Sequence, residues 1–158
     1  MDLADLLIRR IEESDIAELY NIERLSFTSP WSFKSLMSEL TNPLAVYFAA
    51  ELEGQVVGYI GMYKILDEGH ITNLAVKPAY QLLGIAKRLL NTLCDFAEKN
   101  NMSLLTLEVR PSNYPAISLY ESFNFKNVGM RKNYYSAPTE DAYIMTREHN
   151  LALNSGEV

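Results

Sequence analysis

At 158 residues, with 48% apolar and 22% charged side chains, the chain has the length and make-up of one soluble globular domain with a real core. A formal charge of −6 and a pI near 4.9 argue against a nucleic-acid binder that works by neutralising phosphates; they suit a basic partner such as a positively charged peptide. No run approaches eighteen apolar residues, and the opening MDLADLLIRRIEESD has no basic segment before an apolar core, so neither a membrane span nor a secretory signal is expected.

In chain order, Leu7 to Ile11 reads as a short strand, and Ser14 offers an N-cap to DIAELYNIERLSF. There Ile16, Leu19, Tyr20, Ile22 and Phe27 follow a helical stripe. SPWS interrupts it, and a second helix is predicted over Phe33 to Leu40, ahead of Asn42 and Pro43. Ala45 to Glu51 and Val56 to Lys64 form a hairpin around LEGQ, and Gly69 to Val76 is a third strand stopped by Pro78. A long helix runs from Ile85 to about Asn100, with Ile85, Leu89, Leu93 and Ala97 four apart and Cys94 beside them, a core position. Leu104 to Val109 is a strand, Tyr114 to Phe123 a helix, and Lys126 to Tyr134 and Ala142 to Arg147 two closing strands. LALNSGEV is expected to fray. A β-αα-βββ-α-β-α-ββ order with one parallel pair and several hairpins implies a mixed sheet with helices on its faces.

Between the third strand and the long helix lies Gln81-Leu82-Leu83-Gly84-Ile85-Ala86, followed by Lys87. A helix N-terminus carries unpaired amides and about half a positive charge, so such a loop can cradle phosphate. Equally, Gly84 can serve only as a turn residue. Neither G-x-x-x-x-G-K-[ST] nor G-x-G-x-x-G is present, so nucleoside-triphosphate and dinucleotide loops are not expected. One cysteine and two widely spaced histidines give no metal cluster.

In LLTLEVR, Leu105, Leu107 and Val109 share one face of the strand, while Thr106, Glu108 and Arg110 share the other. Glu108 either accepts a proton from a substrate, with partial burial raising its pKa, or points to water or to Arg110. Asn113 is a helix cap, and Tyr120 is either a proton donor or a packing residue. Trp31 either clamps a chain terminus or staples a helix. Arg131 and Lys132 read as a solvated charge pair, and His70 and His149 as surface or strand-end residues with no catalytic role.

QLLGIA, after a strand and before a long helix, resembles the [QR]-x-x-G-x-[GA] loop of the GNAT family of N-acetyltransferases, and the element order resembles that family over about residues 7–148. The resemblance implies an α/β (α+β) GNAT fold: a mixed, mostly antiparallel seven-stranded sheet with about four helices, splayed between the fourth and fifth strands, in a single domain. It also implies acetyl-CoA as cosubstrate, with Gln81, Leu82, Leu83, Gly84, Ile85, Ala86 and Lys87 at its pyrophosphate. Leu74, Ala75 and Val76 would pair with the pantetheine arm, and an N–H near Val76 would polarise the thioester carbonyl. Two positions depart from the pattern: Leu82 stands where the family commonly has a basic residue, and Ala86 where it often has glycine; Lys87 offsets part of the lost charge.

WSFKS, NLAVKPAYQ, LEVRPSN, SLYESFNF, RKNYY and EDAYIM further resemble the RimI-type ribosomal-protein alanine N-acetyltransferases of that family. This implies Glu108 as base, Tyr120 as acid, Asn113 as a cofactor contact, and Trp31 and Tyr134 near a peptide entrance. It implies as substrate the N-terminal alanine of the eighteenth small-subunit ribosomal protein, a cytoplasmic location, and no metal. Direct attack in a ternary complex is expected, because the lone Cys94 belongs to a helix stripe. The alternatives are acetylation of lysine or a small amine, and a non-catalytic acyl-CoA-binding module.

Overall fold

Four residues of β1 (Leu7–Arg10) pair antiparallel with β2 (Ala45–Leu52), which turns back into β3 (Gln55–Ile65). The turn is made by Glu53 at φ 53 and Gly54 at φ 80, the left-handed pair of a two-residue hairpin whose twist matches its strands. β4 (Glu68–Val76), α3 (Ile85–Lys99), β5 (Leu104–Val109), α4 (Tyr114–Ser122), β6 (Lys126–Tyr135) and β7 (Glu140–Glu148) follow, with α1 (Ile16–Ser26) and α2 (Phe33–Glu39) between β1 and β2. The computed structural model describes residues 2–149; the segment LALNSGEV lies outside them.

The strand order is β1-β2-β3-β4-β5-β7-β6 in one seven-stranded sheet. β4 and β5 are parallel, whereas β1–β2, β2–β3, β5–β7 and β6–β7 are antiparallel. The parallel ladder joins Glu68–His70 to Leu104–Thr106 at the starts of the two strands, in keeping with the splay expected there. Two compact units divide the chain, with boundaries at Tyr63/Lys64, Ile71/Thr72 and Leu93/Cys94.

In the first unit, Ile16, Leu19 and Ile22 of α1 and Leu36 of α2 are buried in one cluster with Tyr47, Ala49 and Tyr59 of the hairpin and Ala75 of β4. Each large apolar group so removed from water contributes about 1.5–3 kcal/mol. Gly61 is required beneath the Tyr47 ring, because a Cβ there would lie 2.5 Å from it. Helix α1 starts differently from expectation. Glu12 and Asp15 form a capping box around a 3-10 turn (Glu13–Asp15), and Ser14 does not cap. Asp15 occupies the N-cap of α1 without a side-chain cap bond; its carboxylate accepts from the Glu12 N–H and takes two hydrogen bonds from Arg9, at 2.7 and 2.9 Å.

In the second unit, the inward residues Leu105, Leu107 and Val109 of β5 are buried and the alternate ones half-buried, as the two-residue period requires. Cys94 is 3% exposed, and burial pushes its thiol up to about 11. That suits the core role read from the helix stripe.

Candidate active site

β5 presents Glu108 on its half-buried face, two residues beyond Thr106, which is in register with His70 of β4. On a pleated strand this spacing brings the two side chains to one side. His70 Nε2 lies 2.7 Å from Glu108 Oε1, the Tyr134 hydroxyl donates to the same oxygen at 3.4 Å, and Arg131 Nε stands 3.7 Å from Oε2. The carboxylate is 9% exposed and the imidazole 39%.

Burial alone would raise the Glu108 pKa, but the hydrogen bond from His70 outweighs it, helped by the charges of His70 and Arg131, and holds the carboxyl below the usual carboxylate range. The expectation of a raised pKa is therefore corrected. Two exposed neighbours gain contacts that the sequence did not show: His70, near the start of β4, is engaged with Glu108, and Arg131 faces that carboxylate. Arg110 is not the partner of Glu108. It pairs with Glu140 at 3.3 Å and lies over the Tyr135 ring at 4.4 Å. The sequence signal for His70 was the equal offset of His70 and Thr106 along two parallel strands, which needs the register before it can be read.

Tyr120, on α4, is 7% exposed, and its ring lies 5.6 Å from that of Phe125. Burial, with Tyr135 as a second cause, pushes its phenol well above the ordinary tyrosine range; the proton stays on oxygen at any working pH. Asn113 caps α4, its side-chain oxygen accepting from the Ala116 N–H at 3.3 Å. Tyr134 is 48% exposed and stacks edge-on with Tyr135 at 4.9 Å.

In the first unit, the loop before α3 folds so that Gly84 takes φ +88, and a Cβ added there would meet nothing within 4 Å. Leu82 also adopts a left-handed backbone, φ 64, and is fully exposed. The Gln81 side-chain amide donates to the Val76 carbonyl at 3.1 Å, tying the loop to the end of β4. Ile85 is buried as the first residue of α3, which leaves its amide and those of Ala86 and Lys87 in the first turn, where helix geometry provides no acceptor. An open left-handed glycine followed by free amides and a helix N-terminus is a chemical match for a pyrophosphate. Leu74 is half-buried, and Ala75 and Val76 are buried in β4.

Trp31 is partly buried against the α1–α2 cluster, and its backbone N–H donates to Glu23 Oε1 at 2.9 Å. Glu23 is 1% exposed. Its other oxygen accepts from Asn73 Nδ2 at 3.1 Å and from the Tyr59 hydroxyl in a short contact. This buried network, absent from the sequence reading, anchors the segment between α1 and α2 through Trp31. Among the described residues, no group of three or more His, Cys, Asp or Glu is placed to hold a metal.

Residues 16–125 match the model of the acetyltransferase (GNAT) family. Over 140 residues, the chain is 37% identical to the [ribosomal protein bS18]-alanine N-acetyltransferase of Escherichia coli strain K12, covering 87% of this chain and 94% of that one. It is 34% identical over 151 residues to an N-alpha-acetyltransferase of Sulfolobus acidocaldarius, covering 87% and 89%. Its structure is similar to the crystal structure of the ribosomal-protein-S18-alanine N-acetyltransferase from Escherichia coli, with a TM-score of 0.85 and 36% identity over 90% of this chain and 93% of that one.

Proposed function

The chain belongs to the acetyltransferase (GNAT) family, and from that premise we propose that it moves acetyl from acetyl-CoA to a protein N-terminal α-amine, with the N-terminal alanine of ribosomal protein bS18 as substrate. Two relatives support the α-amine: one is named for the bS18 alanine, the other for N-alpha acetylation. The observation that carries the chemistry is Glu108, an ionised carboxylate on a strand face, facing His70, Tyr134 and Arg131.

Acetyl-CoA supplies the thioester whose carbonyl carbon the amine attacks; the C–N bond forms as the C–S bond breaks. Gln81 to Lys87 bind its pyrophosphate through backbone amides and the Lys87 ammonium. Leu74, Ala75 and Val76 offer a strand edge to the pantetheine, and Asn113 adds a polar contact with the side-chain amide that capping leaves unused. Glu108 takes up the proton that the attacking nitrogen sheds. Tyr120, held protonated by burial, donates a hydrogen bond and then its proton to the departing thiolate. Trp31 and Tyr134 border the peptide entrance. An α-amine is only ~1 kcal/mol from its neutral form at pH 7, against roughly 4–5 kcal/mol for lysine, so a base of low pKa fits the α-amine better. The chain acts as a single cytoplasmic domain.

The test is mass spectrometry of basic peptides with free or blocked N-termini after incubation with acetyl-CoA. Acetyl on the free terminal amine is expected, with the rate reduced about 10²- to 10⁴-fold in Glu108→Gln. Acetylation confined to lysines of blocked peptides would sink the α-amine reading.

A further inference from the structure

We propose that Glu23 and Asn73 couple the two substrate sites: acetyl-CoA on β4 and the peptide at Trp31 strengthen each other's binding through one buried carboxylate that both sites hold. This rests on the acetyl-transfer reading above and adds to it two buried positioning residues.

Three observations carry it. First, the carboxylate is divided between the two sites. Glu23, on α1, accepts at Oε1 from the Trp31 backbone N–H, 2.9 Å away in the segment between α1 and α2. At Oε2 it accepts from Asn73 Nδ2, 3.1 Å away on β4. Asn73 directly precedes Leu74, the first residue of the strand edge offered to the pantetheine. The two oxygens are rigidly joined through one carbon, so a shift of β4 that moves Asn73 is felt at Trp31. Second, the position calls for the chemistry of asparagine and not only for its size. Its Oδ1 accepts from the Thr72 hydroxyl at 2.6 Å and from the Tyr47 hydroxyl at 3.4 Å, while its Nδ2 donates to Glu23. A side chain here must accept on one side and donate on the other; an aspartate would set oxygen against oxygen, and a leucine would do neither. Third, the chain of contacts is dry. Glu23 is 1% exposed and Asn73 5%, with Tyr47 and Tyr59 buried beside them. In such surroundings a broken hydrogen bond leaves a desolvated group unpaired, so the partners keep together.

Each ligand orders an element that the other needs. Pantetheine on Leu74 to Val76 fixes the end of β4 and with it Asn73; peptide against Trp31 fixes the segment between the helices and with it Glu23. The ligand that binds second meets a network already set and gives up less freedom. The coupling is reciprocal, because the factor by which one ligand strengthens the other is the same in both directions.

The experiment is calorimetry on the full chain with a basic free-N-terminal peptide and acetonyl-CoA, a ketone analogue that transfers no acetyl. The dissociation constant of each is measured with and without saturating amounts of the other. In the wild type both are expected to tighten by the same factor, about 5- to 50-fold. In Asn73→Leu the factor is expected to fall below about two, and in turnover the loss should fall on KM for the peptide more than on kcat. Asn73→Ala, which leaves room for water beside Glu23, is expected to show the same loss and serves if the leucine variant does not fold. Tyr59→Phe removes a different donor from the same Glu23 oxygen and keeps the path from Asn73 through Glu23 to Trp31. Its factor should stay within about twofold of the wild type, even where its melting temperature drops, whereas a purely structural network would treat the two positions alike. No mutual tightening in the wild type, an unchanged factor in a folded Asn73 variant, or an equal loss in Tyr59→Phe overturns the proposal. Failure of the wild type to bind the analogue at all would overturn the acetyl-transfer reading instead, which makes the two failures distinguishable.

Discussion

Two glutamates show how neighbours decide what a carboxylate does. Glu108 faces His70, whose imidazole is 39% exposed, and Arg131. Glu23 is enclosed and has neutral donors around it, the Tyr59 hydroxyl, the Asn73 amide and the Trp31 N–H. The first arrangement suits proton traffic; the second fixes geometry, because every oxygen lone pair it satisfies belongs to a different part of the first unit. Burial and the adjacent Glu23 push the Tyr59 phenol far above its ordinary range, so this hydroxyl is a permanent donor. In Glu23→Gln one accepting oxygen becomes an amide that meets those donors head-on. A loss of about 2 kcal/mol in a urea melt is expected, together with a raised KM for peptide, because Trp31 loses its anchor. An unchanged melt would show that the network is replaceable by water.

Among the elements, the loop entering α3 commits its backbone to an unusual shape. Leu82 and Gly84 both take positive φ, a region that costs a residue with a Cβ roughly 1–2 kcal/mol. The protein bears that cost at Leu82, whose side chain is fully exposed, and avoids it at Gly84. Because a Cβ at Gly84 would clash with nothing in the protein, Gly84→Ala separates backbone strain from internal crowding. The expected result is a stability loss of about 1–2 kcal/mol and a several-fold weaker acetyl-CoA dissociation constant by calorimetry. An unchanged dissociation constant would mean that the loop amides do not approach the pyrophosphate. The same scale holds a correction at the start of α1. A sequence window sees Ser14 as a good cap, but Asp15 stands at the N-cap of α1 without a side-chain cap bond, its carboxylate being taken up by the Glu12 N–H and by Arg9 of β1.

For the molecule as a whole, the excess of acidic residues, −6 in 158, matters through long-range attraction and not through any one pair. A basic N-terminal peptide should be drawn in faster at low salt, and the effect should fade once the screening length drops below about 10 Å. Raising sodium chloride from about 50 to 300 mM is therefore expected to raise KM for a basic peptide several-fold, with little change in kcat and little change for a neutral peptide of equal length. Equal salt dependence for both peptides would remove charge from the account of substrate choice.

The order and type of the elements were legible in the sequence because each rests on a local rule: the four-residue stripe of α3, the two-residue alternation of β5, the Glu53-Gly54 turn. Boundaries moved by a residue or two, as at Leu40, which closes α2 from outside, and at Tyr135, which extends β6. Acetyl transfer was legible too, since QLLGIA, LEVRPSN and SLYESF are contiguous runs that no folding is needed to assemble. What the sequence could not hold was anything requiring strands to meet. His70 and Glu108 stand 38 residues apart, and only the parallel register of β4 on β5 puts their side chains on one face. That contact reverses the direction in which burial alone would move the Glu108 pKa, because the hydrogen bond with His70 at 2.7 Å, with the Arg131 charge nearby, outweighs partial desolvation. The chain by itself determined that a carboxylate would sit on this strand; only the tertiary structure decided what kind of acid it is.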